Sequence, residues 1–191
     1  MTKAMLEYDA QTDWGSDGFT LVELLITVAI IGIVAAIAVP GMLRARMSGN
    51  EASAIGSLRT INSAQASFAA SCGDSGYAID LADLVKTPSG STDGFISPDI
   101  GTNSMVKSGY IVTLAASAGA HDVGSTTACG NNIMQPVDSY WADAAPVAKG
   151  ETGTRYFATD TRGTIFQDTS IAQGGHIANP IVRTASTVPA Q

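Results

Sequence analysis

The sequence predicts an α+β fold. One long amino-terminal helix, membrane-spanning and kinked in its first half, packs through its second half on a small antiparallel sheet of three to four strands. Three observations lead there. An apolar run from Phe19 to Val39 holds a single charge, Glu23. From Pro40 the run gives way to apolar residues at helical spacing. Residues 155–167 then alternate as two strands around a glycine-ended turn, the strongest hairpin signal in the chain.

At a rise of ~1.5 Å per residue, the helix from Phe19 to Val39 is about 30 Å long, roughly the hydrocarbon thickness of a bilayer. An ionised carboxylate within such a span costs on the order of 2–3 kcal/mol, less if it lies near the headgroups. Glu23, close to one end and just after a Gly18-Phe19 junction, therefore needs a partner for its charge. Beyond Pro40, Ile55, Leu58, Ile61, Ala64 or Gln65, and Phe68 recur every three or four residues, with Arg44, Arg46, Glu51 and Arg59 between them. Together these segments read as one nearly continuous helix from Phe19 to about Ala70. Pro40 removes a backbone donor and crowds the carbonyl four residues earlier, so a kink is expected near Ala36, with Gly32 adding local looseness.

Cys72-Gly73-Asp74-Ser75-Gly76 stops the helix. Ile79 to Val85 reads as a short helix with Asp80 as a candidate N-cap, and Pro88 to Gly101, rich in Gly, Pro and Ser, as a loop. Tyr110–Leu114 alternates as a strand, and Ser139–Ala144 is a weaker strand candidate. The hairpin follows as Arg155–Asp160, a Thr161-Arg162-Gly163 turn and Thr164–Gln167. From about Ser170 the chain is polar and strand-poor, reading as a surface loop or tail. A long helix followed by a run of strands gives a helix covering one face of an antiparallel sheet.

Composition narrows the function classes. The net charge is −7, to which residues 1–18 contribute −3 (one lysine against four acids), leaving −4. With no basic tract and 6% aromatic residues, a dedicated nucleic-acid surface has no compositional support. His121 and His176 stand alone, without a metal-ligand partner at a recognisable spacing, and no nucleophile elbow, phosphate loop or nucleotide fingerprint is present. Asp160 and Asp168 match no calcium loop and read as turn-capping residues. Neither catalysis nor a cofactor is expected. The two cysteines, Cys72 and Cys129, are compatible with a disulfide or with two buried thiols.

The octet Gly18-Phe19-Thr20-Leu21-Val22-Glu23-Leu24-Leu25 resembles the processing site of the type IV pilin and pseudopilin superfamily, and the likeness continues through Gly32 and Pro40. The resemblance implies that residues 1–18 are a prepilin leader peptide. Residues 19–40 would be the transmembrane and assembly helix, 41–71 its amphipathic half, and 72–191 a globular head with an antiparallel sheet and variable loops. It further implies that a prepilin peptidase cuts between Gly18 and Phe19 and N-methylates Phe19. Glu23 would then pair with the N-terminal ammonium of a neighbouring subunit. The implied partners are identical or homologous pilin subunits, the peptidase and an inner-membrane assembly platform. The implied location is the inner membrane as a single-pass protein, then an extracellular pilus or a periplasmic pseudopilus. In that oxidising setting a Cys72–Cys129 bridge is favoured, worth on the order of 3–4 kcal/mol, and it would clip the helix end to the sheet.

The leader departs from the family habit of a basic segment before the cut, carrying Glu7, Asp9, Asp13 and Asp17 against Lys3. Arg44 and Arg46 lie on the far side of the span, opposite to what the positive-inside rule alone favours. A secretory signal peptide ending at Ala36-Ile37-Ala38 is disfavoured by the acidic flank and by an apolar core well beyond ~7–15 residues. Within the family, long loops and the cysteine pair lean towards a type IV pilin over a type II secretion pseudopilin. The alternative from a different class is a membrane-anchored binding module that does not polymerise.

Overall fold

The computed structural model describes residues 18–88, 90–125 and 133–190. The chain divides into two compact units, Met1–Gly41 and Met42–Gln191. A single helix, α1 (Leu21–Ser71), contributes to both, and its helical backbone continues through Pro40.

In the first unit no described residue buries the helix. Leu21, Leu24, Leu25, Ile31, Ile33 and Ile37 are all exposed, as is Phe19, two residues before the first helical position. A helix of this length and apolar composition is able to cross a membrane.

In the second unit α1 becomes one layer of an α+β sandwich. Ala54, Leu58, Ile61, Ala64, Gln65 and Phe68 are buried, the stripe expected from their spacing. Both residues at the ambiguous position turn inward. Ala64 packs in the core, while Gln65 donates to the Ala78 carbonyl (2.6 Å) and accepts from the Ala78 amide (2.9 Å), so its buried amide is satisfied. The helix ends at Ser71, and Asp74 and Ser75 take positive φ (51° and 68°) to turn the chain. The short helix α2 (Leu81–Val85) follows, capped by the Asp80 carboxylate accepting from the Ala82 amide at 2.7 Å. The loop to the sheet contains one 3-10 turn, Pro98–Ile100.

Six strands make an antiparallel meander in chain order: β1 (Met105–Lys107), β2 (Tyr110–Ala116), β3 (Tyr140–Pro146), β4 (Tyr156–Asp160), β5 (Ile165–Asp168) and β6 (Val188–Pro189). The sheet is therefore larger than the three to four strands expected. The two extra strands are the short edges, three and two residues long, below the length at which alternation registers. β1 joins β2 through Ser108 and Gly109, both at positive φ (48° and 71°), the geometry of a two-residue hairpin turn. A Cβ on Gly109 would lie 2.8 Å from Thr152 Cβ, so glycine is needed there for space as well as for φ. β6 ends in Pro189, a residue that sheets tolerate only at such an edge.

Tyr110, Val112 and Leu114 of β2, Tyr140, Ala142 and Ala144 of β3, and Phe157 of β4 pack with Leu58, Ile61 and Phe68 of α1. The other face is also covered. Trp141, Ala145, Tyr156, Ala158 and Phe166 pack with Ile177 and Ile181, and with the partly buried Ile171. The segment after Ser170, expected to be a polar surface tail, is thus a second layer over the sheet. Its isoleucines are scattered among Gly, Ala, Gln and Asn, so no periodicity announced them. Burial along the whole of β3 and β4 is the counterpart of that cover.

Asp160 and Asp168 both serve turns. Asp160 accepts from the Arg162 amide (3.0 Å), and its carbonyl accepts from Gly163, which sits at φ 69°. Asp168 accepts from the Ser170 amide (2.7 Å) and from the hydroxyls of Ser170, Ser186 and Thr187.

Candidate functional site: the amino-terminal assembly segment

Gly18 and Phe19 precede α1 and are exposed, leaving the bond between them unencumbered by the described residues. Thr20 and Glu23 then close the start of the helix reciprocally. The Glu23 amide donates to Thr20 Oγ1 (3.2 Å), and the Thr20 amide returns a bond to Glu23 Oε2 (3.0 Å). The Thr20 hydroxyl also donates to the same carboxylate oxygen at 2.6 Å. This is a capping box: a Thr and a Glu three apart satisfy backbone donors that the first helical turn cannot. The carboxylate also lies at the positive end of the helix dipole. The sequence reading assigned Glu23 an intermolecular partner and gave Thr20 no role. The T-x-x-E signature before an apolar run was the signal that would have found it.

Both bonds that the Glu23 carboxylate accepts from Thr20 end on Oε2, so Oε1 is not committed to the cap. Behind Glu23 the exposed helix surface is predominantly apolar, with the Thr27 hydroxyl turned back on the Leu24 carbonyl.

Gly32 and Pro40 lie inside α1, with no neighbour within 4 Å of a Cβ built on Gly32. Cys72 follows the last helical residue and packs, half-buried, against the core. Cys129 and residues 1–17 of the expected leader lie outside the described residues, as does the pairing of the two cysteines.

In the second unit one charged residue was misplaced by the sequence reading. Glu51, grouped there with Arg44, Arg46 and Arg59 between the apolar positions, is buried. It falls three, seven and ten residues before Ala54, Leu58 and Ile61, on their side of the helix. Asn62 is a second polar tie. It donates to Thr159 Oγ1 (3.0 Å) and the Gly163 carbonyl (3.1 Å), and accepts from the Tyr140 hydroxyl (2.9 Å).

Residues 15–39 match the family model described as the prokaryotic N-terminal methylation motif. The chain is also similar to the type IV major pilin protein PilA of Myxococcus xanthus (strain DK1622), with 47% identity over 51 residues. That stretch is 27% of this chain and 23% of the Myxococcus protein. No solved structure matches. The motif match ends before the helix reaches the sheet domain. The amino-terminal segment of the chain thus carries a prokaryotic N-terminal methylation motif and is similar to the corresponding part of a type IV major pilin.

Proposed function

We propose that this chain is a structural subunit of a type IV pilus. Before assembly it is anchored in the inner membrane by the first part of α1. A prepilin peptidase cuts between Gly18 and Phe19 and methylates the new amino group of Phe19. An assembly platform in the same membrane then adds the subunit to a growing fibre. Inside that fibre the apolar helices bundle and the sheet domains lie outside.

The observation that carries this reading is the geometry at Glu23. Its carboxylate sits one turn from the cut, at the head of a bare apolar helix, with Oε2 tied to Thr20 and Oε1 left over. In a low-dielectric bundle a lone carboxylate and a lone ammonium are each costly, and each lowers the cost of the other. A neighbour's methylated amino terminus meets Oε1 at one axial stagger only, so the pair fixes the register between subunits. A type II secretion pseudopilin shares this logic. The long connections between α2 and β1 and between β2 and β3 favour the pilus.

Replacing Glu23 with Ala, and separately with Gln, tests the reading. Both variants are expected to accumulate as folded, membrane-inserted monomer and to yield few or no fibres. Normal fibre yield from either would remove the register argument. Long extracellular fibres in the parent strain would distinguish a pilus from a short periplasmic pseudopilus.

A further inference from the structure

On the face of the sheet turned away from α1, a cleft of about 420 Å³ is lined by Ser104, Ile111, Thr113, Trp141, Asp143 and His176. Its construction follows from the register. Thr113 of β2 stands opposite Asp143 of β3, and Ala115 opposite Trp141, so these side chains share one face. The layer formed after Ser170 covers that face over β4 and β5, with His176 at the cleft. Ile111 and Thr113 remain partly exposed beside it.

Two buried polar atoms on residues that line this cleft lack any hydrogen-bond partner among the described residues. They are Asp143 Oδ1 and Trp141 Nε1, on residues that are 1% and 8% exposed. A buried donor or acceptor left unpaired gives up its bonds to water without replacement, so two in one place form an uncompensated site. The other Asp143 oxygen is hydrogen-bonded to His176 Nδ1. The His176 side chain is 48% exposed and stands edge-on to Trp141, with ring centroids 6.4 Å apart.

We propose that this cleft binds a neutral polyhydroxyl compound of single-sugar size, gripped by Asp143 and Trp141 beneath His176. A carboxylate oxygen only accepts and an indole N–H only donates, and a hydroxyl group satisfies both kinds of partner. The buried carboxylate opposes an anion. The indole N–H and the imidazole oppose a cation, which leaves neutral ligands. Thr113 and Ser104 add two hydroxyls near the rim, while Ile111 and Trp141 offer apolar surface to the C–H face of a sugar ring. The volume exceeds by roughly tenfold the ~30 Å³ share of one water, and lies at the small end of ligand pockets, roughly 300–1,000 Å³. Burial pushes the Asp143 carboxyl up to about 6, against the hydrogen bond and charge of His176. A hydroxyl donor at Oδ1 would lower that cost by stabilising the ionised form.

The test uses the full chain in detergent with Trp14→Phe, which leaves Trp141 as the single tryptophan. The indole N–H resonance is followed by NMR during titration with galactose, glucose, mannose and N-acetylglucosamine, their methyl glycosides, and the charged relatives glucuronate and glucosamine. At least one neutral sugar is expected to shift the resonance saturably in the millimolar range. Asp143→Asn and Thr113→Val should each weaken it about tenfold, the equivalent of one hydrogen bond. Thr113, only partly buried and on the neighbouring strand, carries the test if the Asp143 variant does not fold. A methyl glycoside that binds as well as the free sugar identifies the end of a glycan as the ligand, and binding of the free sugar alone identifies a small solute. No shift up to ~100 mM, binding as tight in both variants as in the parent, or stronger binding of a charged relative would overturn the proposal. Asp143 and His176 would then serve only to pin the last layer to the sheet.

Discussion

Glu51, midway along α1, and Arg155, at the entrance to β4, form an ion pair with a guanidinium nitrogen 2.7 Å from Oε2. Arg155 Nε donates to the same oxygen at 2.8 Å, while Oε1 accepts from the Thr154 amide (2.8 Å), the Thr154 hydroxyl (3.0 Å) and the Arg155 amide (3.2 Å). A buried carboxylate with this many donors locks the helix to the start of the β4–β5 hairpin. Glu51→Ala strands those donors and should cost about 3 kcal/mol, whereas Arg155→Ala should cost less, because the Thr154 and backbone donors remain. Denaturant unfolding of both variants and of the double variant checks this. A cost below ~1 kcal/mol for Glu51→Ala would reduce the pair to a surface contact.

Thr20 orders the carboxylate to which the proposed fibre register is assigned. Thr20→Ala removes both hydroxyl contacts to Glu23 and should free the first turn at a cost of about 1 kcal/mol, while Thr20→Ser keeps them. The expected outcome is reduced fibre yield and faster hydrogen exchange at the Leu24 amide, which bonds the Thr20 carbonyl at 3.2 Å, in the alanine variant alone. Equal behaviour of the two variants would show that the cap is incidental.

Much of this arrangement was legible in the sequence, and what was not has physical causes. The helix, its stop at residues 72–76, the Asp80 cap and the four central strands announced themselves through periodicity and turn chemistry. Glu51 and Gln65 did not, because residue type says that such side chains are usually exposed, while only the fold supplies the Thr154, Arg155 and Ala78 partners that allow burial. β1 and β6 were too short to show alternation. Ile171, Ile177 and Ile181 became a layer because the sheet's second face needed cover, a requirement that no local window contains.

Stability should depend on acid in a direction that the buried carboxylates dictate. Burial alone would raise the Asp168 carboxyl, but the Ser170 hydroxyl, the Thr187 hydroxyl, the Ser170 amide and the Ser186 hydroxyl outweigh it and bring it down to about 2. Its folded value lies below its unfolded one, so its contribution is present above about pH 4 and is lost as pH falls towards 2. Glu51 is likewise lowered: burial opposes the shift, and Thr154 and Arg155 more than offset it. Asp143 has the opposite sign. Raised to about 6, it favours the folded state most below about pH 4, and that contribution declines as pH rises through 6. Thermal unfolding between pH 2 and pH 7 should show a steep acid limb that Asp168→Asn flattens. An unchanged acid limb in that variant would contradict the assignment.

The cysteines supply a further prediction. Material from the oxidising compartment should carry Cys72 and Cys129 as one intramolecular bridge, lighter by two hydrogens than the reduced chain and inert to alkylation until reduced. Alkylation of both thiols without prior reduction would exclude the bridge.

The central claim is that this chain is a processed fibre subunit whose assembly begins at the Gly18–Phe19 bond. Intact-mass measurement on protein sheared from the cell surface tests it most directly. The expected mass is that of a chain beginning at Phe19 and carrying one added methyl group. A fibre subunit that retains residues 1–18 would contradict the account.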